Sequence, residues 1–147
     1  MKHVFMAAVL AVAANGAAAQ QAVTYATKSS FEDVIFELEN AITDEGLVVD
    51  WVSHVGDMLE RTRADVGSDK VIFERADVYN FCSALVSRHV MEADPMNIAF
   101  CPYGIFVAQL ADETGQIIVG YRSFPDGPMQ EAAALLDSLA RKAAGVE

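Results

Sequence analysis

Cys82 and Cys101 are the only cysteines in the chain, and their thiols are the side chains best suited to redox or nucleophilic chemistry. An even count in a chain bound for an oxidising compartment, which the N-terminus predicts below, favours a disulfide. The bridge would close a loop of about 20 residues and stabilise the fold by roughly 3 kcal/mol in the chain-entropy model. A second reading is a reactive thiol. Cys82 falls just before an expected helix N-terminus, where the dipole and unpaired N–H groups lower a thiol's pKa. That would suit a redox-active dithiol or a carrier of bound sulfur. The pair lacks C-x-x-C spacing, however, and no thioredoxin-like order of elements accompanies it. Two buried, inert thiols are the third reading.

His89 is the histidine with most potential as a ligand. On a helical wheel it groups with Leu85, Val86 and Val90, with Cys82 two turns earlier on that side. A histidine so placed is usually a core residue hydrogen-bonded to backbone; the functional alternative is an axial ligand for non-covalent haem or another metal. Covalent haem attachment is excluded for lack of C-x-x-C-H. Met91 and Met96 lie close in sequence, but methionines in so apolar a chain serve mainly as core filler. His54 falls on the polar side of its expected strand. The cysteines and histidines do not form paired zinc-ligand spacings, and no G-x-S-x-G, Walker A or H-E-x-x-H motif occurs. Glu37 and Glu39 belong to a solvated helix face. Tyr103, Tyr121 and Arg122 lie on an expected hairpin and are candidates to line a pocket, although strand aromatics more often serve packing.

Nine elements must position these groups. Residues 22–28 read as a strand, rich in β-branched and aromatic side chains. Ser29 or Ser30 caps a helix whose apolar positions are Phe31, Val34, Ile35, Leu38, Ala41 and Ile42, stopped at Gly46. In residues 47–55 alternation sets Leu47, Val49, Trp51, Ser53 and Val55 on one side of a strand. Asp57 and Glu60 have capping-box spacing for a short helix to about Val66. A strand follows at 76–81 and a helix at 83–93, which stops before Asp94-Pro95. Residues 104–111 and 116–122 form the clearest hairpin. Asp126-Gly127-Pro128 opens a last helix with the stripe Ala132, Leu135, Leu136, Leu139 and Ala143. The order β-α-β-α-β-α-β-β-α predicts an α+β fold: a single mixed or antiparallel sheet packed by helices on one face.

The N-terminus has the three parts of a secretory signal. Lys2 gives the positive region, Val4 to Ala14 an apolar run too short to span a bilayer, and Ala17 and Ala19 an A-x-A site. Cleavage after Ala19 leaves one domain, residues 20–147, of ordinary single-domain size, in the periplasm or secreted. No Cys at the cut provides a lipid anchor. Nine basic against 21 acidic side chains then remain, a formal charge of −12. That balance argues against nucleic acid and anionic lipid as partners.

SSFEDVIFELENAITDEGL, the YNFCSALVSRHVMEADP block and the CPYGIFVAQL…GQIIVGYR hairpin resemble the DUF302 family, in the expected order and over nearly all of the mature chain. The resemblance implies a small α+β domain that pairs into homodimers, with exported versions carrying two cysteines, and it implies no catalytic residues. The leading expectation is therefore a non-catalytic binding or accessory module with a small ligand between sheet and helices or at a subunit interface. Thiol redox or sulfur chemistry through Cys82 and Cys101, and haem binding through His89, are the alternatives.

Overall fold

A computed structural model describes residues 22–112 and 114–146. The expected signal segment, residues 1–19, lies outside them. The elements run β1 (Ala22–Thr27), α1 (Phe31–Asp44), β2 (Val49–His54), α2 (Val55–Thr62), β3 (Phe73–Phe81), α3 (Ala84–Ala93), a 3-10 turn (Pro95–Phe100), β4 (Tyr103–Leu110), β5 (Ile117–Arg122) and α4 (Gln130–Ala144). The expected order holds. The five strands make one sheet in the order β1-β5-β4-β3-β2, antiparallel at every pairing.

Local chemistry sets the ends of the helices. Ser30 caps α1, its side chain accepting from the Asp33 N–H at 3.1 Å, and Ser83 caps α3 in the same way through the Val86 N–H. Helix α4 ends at Gly145, in the left-handed region at φ 67°. The Val146 N–H there donates back to the Arg141 carbonyl, the closure that a Cβ would disfavour.

The core fills the space between one sheet face and α1, α3 and α4. Phe31, Val34, Leu38 and Ile42 of α1, Val86 and Val90 of α3, and Ala132, Leu136 and Leu139 of α4 meet Tyr79, Phe81, Tyr103, Ile105, Val107, Val119 and Tyr121. Tyr121, Tyr25 of β1 and Asp137 of α4 form a polar clamp. The phenols of Tyr25 and Tyr121 both donate to Asp137 Oδ1, the latter at 2.9 Å. Arg141 Nε donates to Asp137 Oδ2 at 2.8 Å, and its guanidinium lies 4.7 Å from the Tyr25 ring centre. Burial alone would raise the Asp137 pKa, but the hydrogen bonds from Tyr25, Arg141 and Tyr121 outweigh it and hold the carboxyl below its ordinary value.

Strand β2 departs from simple alternation. Val49 lies opposite Phe81, yet Trp51 lies opposite Asn80, so an extra residue, Asp50, bulges between them. The bulge reverses the faces from Trp51 onward. Val52 packs against the core, whereas Trp51 turns to the opposite side and is half exposed. The expected grouping of Val49 with Trp51 and Ser53 is therefore corrected.

Candidate functional site

Strands β3 and β4 end their ladder at the pair Phe81 and Tyr103, which brings Cys82, one residue beyond β3, and Cys101, two residues before β4, to one corner of the sheet. Both are free thiols, Cys82 exposed and Cys101 half-buried, and they lie near enough for Cys101 to act on the Cys82 thiol. Cys101 also lies 3.5 Å from Ser87 Oγ, and Ser87 donates to the Tyr103 hydroxyl at 3.3 Å. Local desolvation, then the Cys101 thiol and Asp50, push the Cys82 pKa up. Ser83, not Cys82, holds the cap position of α3, its hydroxyl accepting from the Val86 N–H. Burial pushes the Tyr103 phenol up to about 12, against a lowering contribution from Ser87. The corner is arranged for two thiols to meet, and the raised pKa of Cys82 does not tune it as a nucleophile at neutral pH.

His89 stands apart from this corner. It is about half exposed, and Nδ1 lies 3.0 Å from Glu131 Oε1 of α4. Leu85, expected beside it in the core, is 65% exposed. The apolar stripe of α3 is narrower than the wheel suggests, confined to Val86 and Val90 with Met91 at its margin. The expected placement of His89 on an apolar face is thus corrected. Met96 is exposed as well, whereas Met129 is buried in the core. His54 is exposed and paired with Asp77 at 2.8 Å. Among the described residues, no group of three or more His, Cys, Asp or Glu side chains is placed to hold a metal ion.

The candidate pocket residues divide between the two faces of the sheet. Tyr103 and Tyr121 point into the helix-side core, 1% and 4% exposed. Arg122 points the other way. With side chains alternating along each strand, the registers define cross-strand rows on this second face. One row holds Trp51 and Asn80, Gly104, then Arg122 and Ala22. The next holds Ser53, Val78, Phe106, Gly120 and Thr24, and a third carries Ala76, Ala108, Ile118 and Ala26. Among the described residues only α2 approaches this face, at its β3 rim, where Gly56 abuts the Ala76 backbone.

This open face forms an apolar groove of about 440 Å3, lined by Val55, Phe73, Val78, Phe106, Leu110 and Ile118 with Thr24 and Ala108 at the β1 and β4 positions. Asp77 borders it, but its carboxylate is turned to His54 on the other side of the sheet. A second hollow of about 340 Å3 continues toward Asn80, Pro102, Gly104 and Arg122, sharing Val78 and Phe106 with the first. Gly120 makes the shape possible. A Cβ there would come within 2.6 Å of both the Phe106 ring and the Val23 carbonyl oxygen, so the missing side chain lets the Phe106 ring lie across β5. A smaller hollow of about 290 Å3 under α2, lined by Met58, Leu59, Val66 and Ile72, is bordered by the Glu60–Arg63 ion pair.

Sequence reasoning singled out Arg122 but missed the groove. The signal was present in β4, where Ile105 and Val107 alternate with Phe106, Ala108 and Leu110, so that both faces are apolar. Helices α1, α3 and α4 cover one of them, and α2 reaches only the β3 rim of the other.

The model of the family described as domain of unknown function DUF302 matches residues 23–142, and the chain belongs to that family. Its fold is similar to that in the crystal structure of an uncharacterized conserved protein DUF302 from Bacillus stearothermophilus, with a TM-score of 0.58 and 21% identity over 86% of this chain and 95% of that one. None of the curated proteins compared with the chain matches it.

Proposed function

We propose that this DUF302 domain is a non-catalytic binding module of the bacterial periplasm, holding a small apolar ligand on the open face of its sheet. The groove built around Phe106 carries the reading. Its wall is made of strand side chains on a rigid sheet, and rigid, largely preformed apolar concavities are where small ligands bind. The open face supports the reading better than the space between sheet and helices, because it carries the apolar concavity while Tyr103 and Tyr121 are buried among core side chains. The contact between Cys82 and Cys101 favours a structural bridge in an oxidising compartment. The upward shift of the Cys82 pKa counts against redox or sulfur-transfer chemistry as the main role.

An uncharged environment-sensitive dye such as Nile red tests the proposal. It should bind the purified protein saturably with a blue-shifted emission, and Thr24→Trp should abolish binding. Thr24 is exposed on an outer strand, so an indole there fills the groove from its rim without entering the core. Equal binding by Thr24→Trp, or none by the wild type, would overturn the reading.

A further inference from the structure

We propose that the open-face groove takes an anionic amphiphile of the fatty-acid type, its chain lying in the trough and its carboxylate paired with Arg122. This rests on the binding-module reading above and names the ligand class for that site. The trough and its extension meet at Val78 and Phe106, and Arg122 is the one basic residue among those lining them. Arg63, Arg75, Arg88, Arg141 and Lys142 hold carboxylates, and Lys28, Arg61 and Lys70 line neither the trough nor its extension. Arg122 makes no ion pair with any described residue, in a chain whose acidic side chains outnumber basic ones 21 to 10. A guanidinium with no carboxylate partner among the described residues, at the end of an apolar trough, is complementary to a chain with a charged head, and its planar fork fits a carboxylate.

The surroundings of Arg122 suit this pairing. Its cross-strand neighbour is Gly104, whose missing side chain leaves space between Arg122 and Asn80. None of the residues lining this end carries a carboxylate. The negative charge of the molecule as a whole repels an anion, but screening at physiological salt limits that repulsion to about 8 Å, leaving the local Arg122 field to decide. Along β4 the groove runs from Gly104 to Leu110, about 20 Å at strand rise, which is long enough for a medium-length acyl chain. Trp51, the only tryptophan, shares the Arg122 row about 14 Å away at ordinary strand spacing, and its emission reports on that end.

The test is displacement of bound Nile red by dodecanoate and by dodecanol, each below its aggregation limit, from wild type, Arg122→Gln and Arg122→Lys. The wild type should prefer dodecanoate about three- to fivefold, the scale of a partly exposed ion pair. Arg122→Gln should remove the preference while still binding dodecanol, Arg122→Lys should keep part of it, and added salt should shrink it. Equal displacement by both ligands, or a preference that survives in Arg122→Gln, would overturn the ligand class and leave the groove standing. Failure of Nile red to bind at all would overturn the binding-module reading itself. If sedimentation shows a dimer that Thr24→Trp dissociates, and neither ligand displaces the dye, then a second copy of the chain covers this face and the amphiphile is refuted.

Discussion

Replacing Asp137 by alanine removes the shared acceptor of the clamp that fastens α4 to β1 and β5. Tyr121 is 4% exposed, so its hydroxyl loses a buried partner, a cost of about 1–3 kcal/mol. Tyr25 and Arg141 are less enclosed and recover hydrogen bonds from water, adding little. Alanine returns about 0.5 kcal/mol in helix propensity. The net loss is about 1.5 kcal/mol, or roughly 5–6 °C in Tm for a domain of this size. Thermal and urea unfolding should be followed for Asp137→Ala, Tyr121→Phe and the double variant. With Tyr121→Phe no orphaned hydroxyl remains, so Asp137→Ala should cost at least 1 kcal/mol less in that background. Additive losses would refute the reasoning. The clamp also sets a pH dependence. Because the folded Asp137 pKa is depressed, its contribution is fully present above the unfolded carboxylate value near 4 and is lost as pH falls through the lower folded value. Asp137→Asn should therefore flatten the acid limb of the stability curve and change little at neutral pH beyond a constant offset.

Other perturbations probe separate parts of the molecule. Purification from an oxidising compartment should yield protein two hydrogens light and resistant to alkylation, with reductant lowering stability by about 3 kcal/mol; fast-reacting native thiols would instead favour redox chemistry. Once reduced, Cys82 should alkylate more slowly at neutral pH than a free peptide cysteine, given its raised pKa. His89→Ala should change stability by less than about 1 kcal/mol, since it breaks only an exposed pair with Glu131, and should leave the protein's response to added haem unaltered. Gly56→Ala places a Cβ 2.7 Å from the Ala76 backbone nitrogen. It should cost about 1–3 kcal/mol in urea unfolding, despite the better helix propensity of alanine.

Much of the architecture was legible because local signals agreed with the packing. Ser30 and Ser83 cap the helices that their positions announce, and the hairpin 104–122 appears as the β4–β5 ladder. The parts that were not legible share a physical cause. The bulge at Asp50 has no mark in composition, and one extra residue suffices to move Trp51 to the other side of the sheet. His89 sits at the edge of a stripe whose width depends on where α4 lies, and Glu131 on α4 draws it outward. Arg122 was legible as a candidate by residue type alone. Its partners on the open face come from strand order, since β5 lies between β1 and β4, and no single segment encodes that neighbourhood.

The most direct measurement is an amide chemical-shift map of the isotopically labelled protein titrated with Nile red. Binding on the open face predicts shifts concentrated at Thr24, Val78, Phe106, Ala108 and Ile118, fading toward the buried helix-side residues of α1 and α4. Shifts centred on α3 and α4, or none at saturating dye, would contradict the account.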